Sequence, residues 1–271
     1  MWVNTKGYER NSRLRHVLPG LPPEYFQLAA SSGHVGSKTL EKGFVVYRLF
    51  RTLIERHHGP IDECAALLDF GCGWGRILRF FLKDMASEKL WGIDMWDLQV
   101  ELAKQTNPYC NFLHVAKDPP TALHDETFDV VVSFSVFSHI SEASHKQWLA
   151  EFKRILRPGG IFIVTTWGRE RTDFFESVRT GSSSAWDEHY NQSMARSFPG
   201  REKWLAAYDS GQFCHVDLDY AGNSDYGETC IPNSYVSREW SKSFTILDYI
   251  EDRSVCTQNV VVARKEPQSV G

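Results

Sequence analysis

From residue 65 to about residue 166 the chain alternates short apolar runs with amphipathic stretches, and this rhythm restricts the fold more than any other feature. AALLDFG, KLWGID, CNFLHVA, FDVVVSFS and GIFIVTTW are short, apolar on both faces and rich in β-branched or aromatic residues, as expected of buried strands. Between them lie helical stretches at 76–83 (RILRFFLK), at 97–104 (DLQVELAK) and in SEASHKQWLAEFKRIL. The last sets Trp148, Leu149, Phe152, Ile155 and Leu156 on one face, and Arg157-Pro158-Gly159-Gly160 is expected to close it. Strand and helix in alternation imply an α/β fold with a mostly parallel sheet, helices covering both faces.

The flanks do not share this rhythm. Residues 1–38 are rich in Pro, Gly and Ser and are expected to form an N-terminal arm with one short helix around 23–30. Val45, Val46, Leu49, Phe50, Leu53 and Ile54 then recur at helical spacing until Gly59-Pro60. Residues 39–271 are read as a single domain, within which 167–233 form an insertion acting as lid or substrate-recognition segment. Its aromatic residues, among them Trp186, Trp204, Tyr208 and Tyr220, have no clean period. A helix at 233–242 follows, then strands at 244–251 and 257–265 whose short connection makes them antiparallel.

Composition narrows the function. At 271 residues with 42% hydrophobic side chains the chain can fill one large core. A net charge of −4 gives no broad basic footprint, so no nucleic-acid partner is expected. Six cysteines without a C-x-x-C pair read as reduced thiols of a cytoplasmic protein, and no metal site is expected. No segment approaches the roughly 20 apolar residues of a membrane span.

The first apolar run ends in LLDFGCGWGR, with Gly71, Gly73 and Gly75 at alternate positions. Such a turn between strand and helix lets a ligand approach bare backbone. A phosphate-binding loop requires a lysine followed by a hydroxyl residue, and neither is present. The dinucleotide pattern G-x-G-x-x-G requires glycine at position 76, where Arg76 stands. A nicotinamide-dependent oxidoreductase is thereby disfavoured but remains the alternative, beside a non-catalytic cofactor-binding scaffold.

Four motifs in order resemble the class I S-adenosylmethionine-dependent methyltransferases, in their small-molecule branch. They are Asp69-x-Gly71-x-Gly73-x-Gly75, Asp94 in LWGID, Phe128-Asp129-Val130-Val131 and Leu156-Arg157-Pro158-Gly159-Gly160. The resemblance covers about residues 40–166. It implies a Rossmann-like seven-stranded sheet with an antiparallel C-terminal strand, S-adenosylmethionine as cofactor and a small-molecule acceptor. It further implies that Asp94 accepts the ribose hydroxyls and that Asp69 orients the amino-acid end. Gly71, Cys72, Gly73, Gly75, Met95 and Ser135 line the cofactor on the same reading, and Asp118, after the third strand, is the candidate for meeting the adenine.

Methyl transfer is an in-line displacement, so a hydroxyl acceptor needs a base to take its proton. His139, just past the fourth strand in FSVFSHISE, is the candidate, and it favours oxygen over nitrogen as the acceptor atom. The alternative is a residue that only packs or caps the following helix. His189, His215, Tyr226 and Tyr235 form a second group, either lining the acceptor or packing an ordinary hairpin. Trp96 is read as stacking near the adenine or as packing between helices.

Overall fold

The computed structural model describes residues 18–30, 33–183, 185, 187–218 and 226–267. Residues 1–17 and 31–32 of the expected arm, and Trp186 and Tyr220 of the insertion, lie outside the described residues. In chain order the elements are α1 (Glu24–Ala30), α2 (Ser37–His57), β1 (Leu67–Phe70), β2 (Leu90–Asp94), α3 (Asp97–Thr106), β3 (Asn111–His114) and β4 (Phe128–Ser133). They continue as α4 (Glu142–Ile155), β5 (Leu156–Thr166), α5 (Arg171–Arg179), α6 (Glu188–Ser197), α7 (Arg201–Asp209), β6 (Cys214–Asp217) and β7 (Gly227–Cys230). The last are α8 (Asn233–Glu239), β8 (Thr245–Ile250) and β9 (Asn259–Arg264).

Seven strands form one sheet in the order β3-β2-β1-β4-β5-β9-β8, while β6 and β7 make a separate antiparallel pair. β1 runs parallel to both β2 and β4, β2 runs parallel to β3, and β8 and β9 are antiparallel, as their short connection predicts. Leu67, Leu68, Val130, Val131, Val132 and Val260–Ala263 are fully buried, which explains why these runs carry no polar alternation. β3 departs from expectation: only Phe112 is buried and His114 is exposed, because β3 is an edge strand.

The chain divides into two compact units, the described residues up to 134 with 155–161, and residues 135–154 with the described residues from 162 onward. In the first unit α2 sets Phe44 and Tyr47 against Phe80 and Phe81, and the Tyr47 hydroxyl donates to Asp84 Oδ2 at 2.6 Å. Gly43 permits this approach, since a Cβ there would lie 3.0 Å from the Arg76 carbonyl oxygen. The buried Gln27 closes the turn before α2, donating to the Pro22 carbonyl and accepting from the Gly36 amide. Residues 76–83 do not form the expected α-helix; Leu78–Lys83 is a 3-10 segment. Arg79 is buried, and its Nε donates to the Gly75 carbonyl at 3.1 Å, which also accepts from the Arg79 backbone amide at 3.3 Å. Likewise the segment 156–160 does not form a closing turn but opens β5, where Gly160 lets the strand pass close to the Asp129 carbonyl.

In the second unit the Ser141 hydroxyl accepts from the Ser144 amide and starts α4. Phe162 packs on Phe152, Trp240 and Phe244 with ring centroids 4.8 to 5.7 Å apart. The insertion builds its own core: Phe175, Met194, Phe198, Trp204, Tyr208, Val216 and Cys230 are all buried there. Its aromatic residues lacked a period because three short helices and a hairpin contribute to that core from different directions.

Candidate functional site

The glycine turn follows β1 directly, and its three glycines all have positive φ: 72° at Gly71, 51° at Gly73 and 73° at Gly75. That region is open to glycine at no steric cost, which accounts for the alternate spacing. The Gly71 and Cys72 amides both donate to the Ile93 carbonyl, at 2.9 and 3.1 Å. Asp94 ends β2 and ties the turn from the other side, Oδ2 accepting from the Gly73 amide at 2.8 Å and Oδ1 from the Trp96 amide at 2.9 Å. Burial raises the Asp94 carboxyl above its ordinary range, and the backbone amides of Trp96, Gly73 and Met95 oppose that shift.

Asp69 lies in β1 within the same unit and is also buried. Burial pushes its carboxyl up to about 7, Arg76 pulling it down and Asp94 pushing it up. Its Oδ2 is buried without a hydrogen-bond partner. An unpaired carboxylate oxygen in such a place is costly unless a donor or cation completes it. Arg76, at the position of the missing dinucleotide glycine, is itself buried, and burial lowers its guanidinium to about 10 against the pull of Asp69.

The other expected residues of this unit fare differently. Cys72 directs its thiol beneath β2, where a Cβ on Gly92 would lie 2.8 Å from Sγ, so only its backbone lies along the turn. Met95 is half-buried beside Asp94, its carbonyl 3.1 Å from His114 Nε2. Asp118 is exposed in the loop after β3. Trp96 is 43% exposed, whereas Trp74 is buried with the Arg79 guanidinium 4.5 Å from its ring.

Ser135 and His139 belong to the second unit, where the structure brings them together. Ser135 Oγ lies 3.4 Å from His139 Nε2 and accepts from Gln258 Nε2 at 2.9 Å. Ser135 has φ of 62°, rare for a residue with a Cβ, and its amide is held by Thr165 Oγ1 at 2.7 Å. On the other edge of the imidazole, Nδ1 lies 2.8 Å from the Gly227 carbonyl. That carbonyl accepts only, so Nδ1 carries the proton and Nε2 keeps its lone pair in the neutral ring. Tyr226 stacks on the ring at 5.1 Å, with 14° between planes.

Sequence reasoning named Tyr226 but missed Gly227, Glu228, Tyr190, Thr165 and Gln258. β7 aligns with the segment after β4, the Gly227 amide donating to the His139 carbonyl and the Thr229 amide to the Ser138 carbonyl. Gly227 is required because a Cβ would overlap the Val216 carbonyl oxygen of β6. Of the remaining candidates, His215 Nδ1 bonds Thr229 Oγ1 at 2.8 Å and the Tyr235 hydroxyl donates to Glu142 at 2.7 Å. His189 lies 3.5 Å from Ser193 Oγ on its own helix.

Residues 68–164 match the family model described as Methyltransferase domain. The malonyl-[acyl-carrier protein] O-methyltransferase of Halalkalibacterium halodurans is 26% identical over 132 residues, 46% of this chain and 47% of that protein. The 2-methyl-6-phytyl-1,4-hydroquinone methyltransferase of Synechocystis is 29% identical over 142 residues, 51% of this chain and 44% of that protein. The chain thus spans about half the length of these curated relatives. Among solved structures, an S-adenosylmethionine-dependent methyltransferase from Mesorhizobium loti superposes with a TM-score of 0.53 at 14% identity, covering 80% of this chain and 98% of that one. The glycine turn, the acid ending β2 and the sheet order agree with these matches, and residues 68–164 carry a methyltransferase domain similar to those of S-adenosylmethionine-dependent methyltransferases.

Proposed function

We propose that the protein transfers a methyl group from S-adenosylmethionine to a small-molecule acceptor, with oxygen favoured over nitrogen. The observation that carries the donor half is the pair of buried acids beside a glycine turn with three positive φ angles. Asp94 accepts from the Gly73 amide on Oδ2 and from the Trp96 amide on Oδ1, and a carboxylate has further lone pairs for the two ribose hydroxyls. The unpartnered Oδ2 of Asp69 suits the ammonium of the methionine end. Gly71, Gly73 and Gly75 offer bare backbone, which a cofactor without phosphate requires. S-adenosylmethionine supplies the electrophilic methyl group and retains the electron pair of the broken carbon–sulfur bond.

The acceptor half rests on His139. With Nδ1 donating to Gly227, Nε2 takes the proton as the acceptor oxygen forms its new bond to carbon. Ser135 Oγ, already within 3.4 Å of Nε2, marks where an acceptor hydroxyl would meet the base. One relative's name, an O-methyltransferase, supports an oxygen acceptor.

The test is binding followed by transfer. Calorimetry is expected to give S-adenosylhomocysteine binding and no binding of NAD; the reverse result overturns the donor assignment. Methyl-labelled S-adenosylmethionine is then offered with phenols, carboxylic acids and amines. Label in oxygen products supports the reading, label confined to amines refutes the oxygen preference, and tight binding without any transfer favours a cofactor-binding scaffold.

A further inference from the structure

Glu228 is among the most thoroughly buried acids of the second unit, and none of the expected site residues explains it. Its Oε1 accepts from the Tyr190 hydroxyl at 3.1 Å. Its Oε2 has no hydrogen-bond partner and lies 4.0 Å from His139 Nδ1. The register of the hairpin fixes this placement, since Val216 opposite Glu228 and Asp217 opposite Gly227 hold β7 against β6. Gly227 then presents its carbonyl to Nδ1, and the next residue brings its carboxylate to the same edge of the ring.

We propose that Glu228 is a positioning residue for His139: its buried carboxylate stabilises the imidazolium formed when Nε2 takes the acceptor's proton. The proposal rests on the reading of His139 as the base. Gly227 sets the tautomer and Glu228 supplies the charge, so the two services come from neighbouring residues of one strand. The proton stays on His139, with Nδ1–H still donating to the Gly227 carbonyl. An acid unable to use bulk water gains most from a cation about 4 Å away, and the histidine gains equally by linkage.

The groups that face His139 are few among the described residues. Ser135 and, through it, Gln258 and Ser138 meet Nε2; Tyr226 covers one face of the ring; Gly227 and Glu228 meet Nδ1. Behind Glu228 stands Tyr190, whose phenol is pushed above the ordinary range by burial and by the charge of Glu228, with Arg171 opposing. Glu228 is therefore the one anionic side chain in this set of direct neighbours, which makes its removal readable at the imidazole.

The experiment is an NMR titration of His139 in the full chain labelled at histidine, comparing wild type with Glu228→Gln and Glu228→Asp, the signal assigned with His139→Gln. Loss of an opposite charge at this distance is expected to lower the His139 pKa by about one unit in the Gln variant. Glu228→Asp, which keeps the charge but withdraws it, should lower it by less. A His139 pKa that stays within ~0.2 of wild type in either folded variant overturns the proposal. The Asp variant keeps the test alive if the Gln variant fails to fold. This readout needs no turnover: full activity in His139→Gln defeats the base reading, whereas an unmoved titration defeats the role of Glu228 alone.

Discussion

His145 offers the sharpest quantitative test of how this fold is held together. It is fully buried in α4, within 4.8 to 5.2 Å of the rings of Phe137, Trp240 and Phe213, and neither ring nitrogen has a hydrogen-bond partner. Burial lowers its pKa from 6.5 to about 3, the charge of the neighbouring Lys146 adding to the effect. The folded state therefore keeps the neutral ring while the unfolded chain binds a proton below pH 6.5. Stability is fully present above pH 6.5 and is lost as pH falls from there toward 3. Between pH 7 and pH 5 the loss is ~2 kcal/mol, from one and a half pH units at about 1.36 kcal/mol each.

Asp69 titrates over the same window with the opposite sense, because its raised carboxyl, at about 7, costs stability as pH rises through that range. The wild-type pH profile thus mixes two slopes, and the difference between His145→Leu and wild type isolates one of them. Leucine has similar volume and no polar atoms to leave unsatisfied, so the variant is expected to be at least as stable at pH 7. Its advantage should grow by ~2 kcal/mol on going to pH 5. Urea denaturation followed by tryptophan fluorescence, at both pH values, gives the two differences. An advantage that does not change between pH 7 and pH 5 would refute the argument, since it would mean that His145 is protonated to the same extent in both states.

Four further expectations follow from the site. Asp94→Ala removes both the ribose acceptor and the ties to Gly73 and Trp96, and should weaken S-adenosylhomocysteine binding by on the order of 1 to 3 kcal/mol; unchanged affinity by calorimetry would sink the assignment. Binding an ammonium beside Asp69 should release about half a proton at pH 7, since the carboxyl sits near 7 before binding, and buffers of different ionisation heat would detect it. Asp69→Asn should abolish that release. His139→Ala is expected to leave cofactor affinity alone and to lower turnover by roughly 10²-fold, with equal activity demoting it to a packing residue. Gly92→Ala would set a Cβ 2.8 Å from Cys72 Sγ and 2.9 Å from Phe112, and should destabilise the first unit by about 1 to 3 kcal/mol in thermal melts, more than a surface Gly→Ala change would.

Much of the first unit was legible because its constraints are local. Apolar runs without alternation give buried strands, and glycines at alternate positions give a turn of positive φ. Asp94 could be named because the resemblance places an acid at the end of the strand that follows the glycine turn, and that strand lies parallel beside β1. The 3-10 segment after the turn was not legible, since RILRFFLK has good helical composition and nothing local in it separates a 3-10 segment from an α-helix. β3 was misjudged for a related reason: an edge strand and a central one can share an apolar sequence, and only the neighbours on either side decide the burial.

The group around His139 shows the opposite case. The histidine was visible as a polar residue after a strand, but its partner Gly227 lies 88 positions away in the chain, in a segment without period. Glu228 reads in sequence as an ordinary surface acid. It is buried because Gly227 lets β7 run close to β6 and because Tyr190 reaches it from α6. By itself the sequence determined the strand-helix rhythm, the glycine turn and the acid beside it, because those depend on backbone sterics and on spacing within a few residues. Tertiary structure alone decided the tautomer of His139, the company of Glu228 and the burial of His145, because each depends on which distant side chains exclude water there.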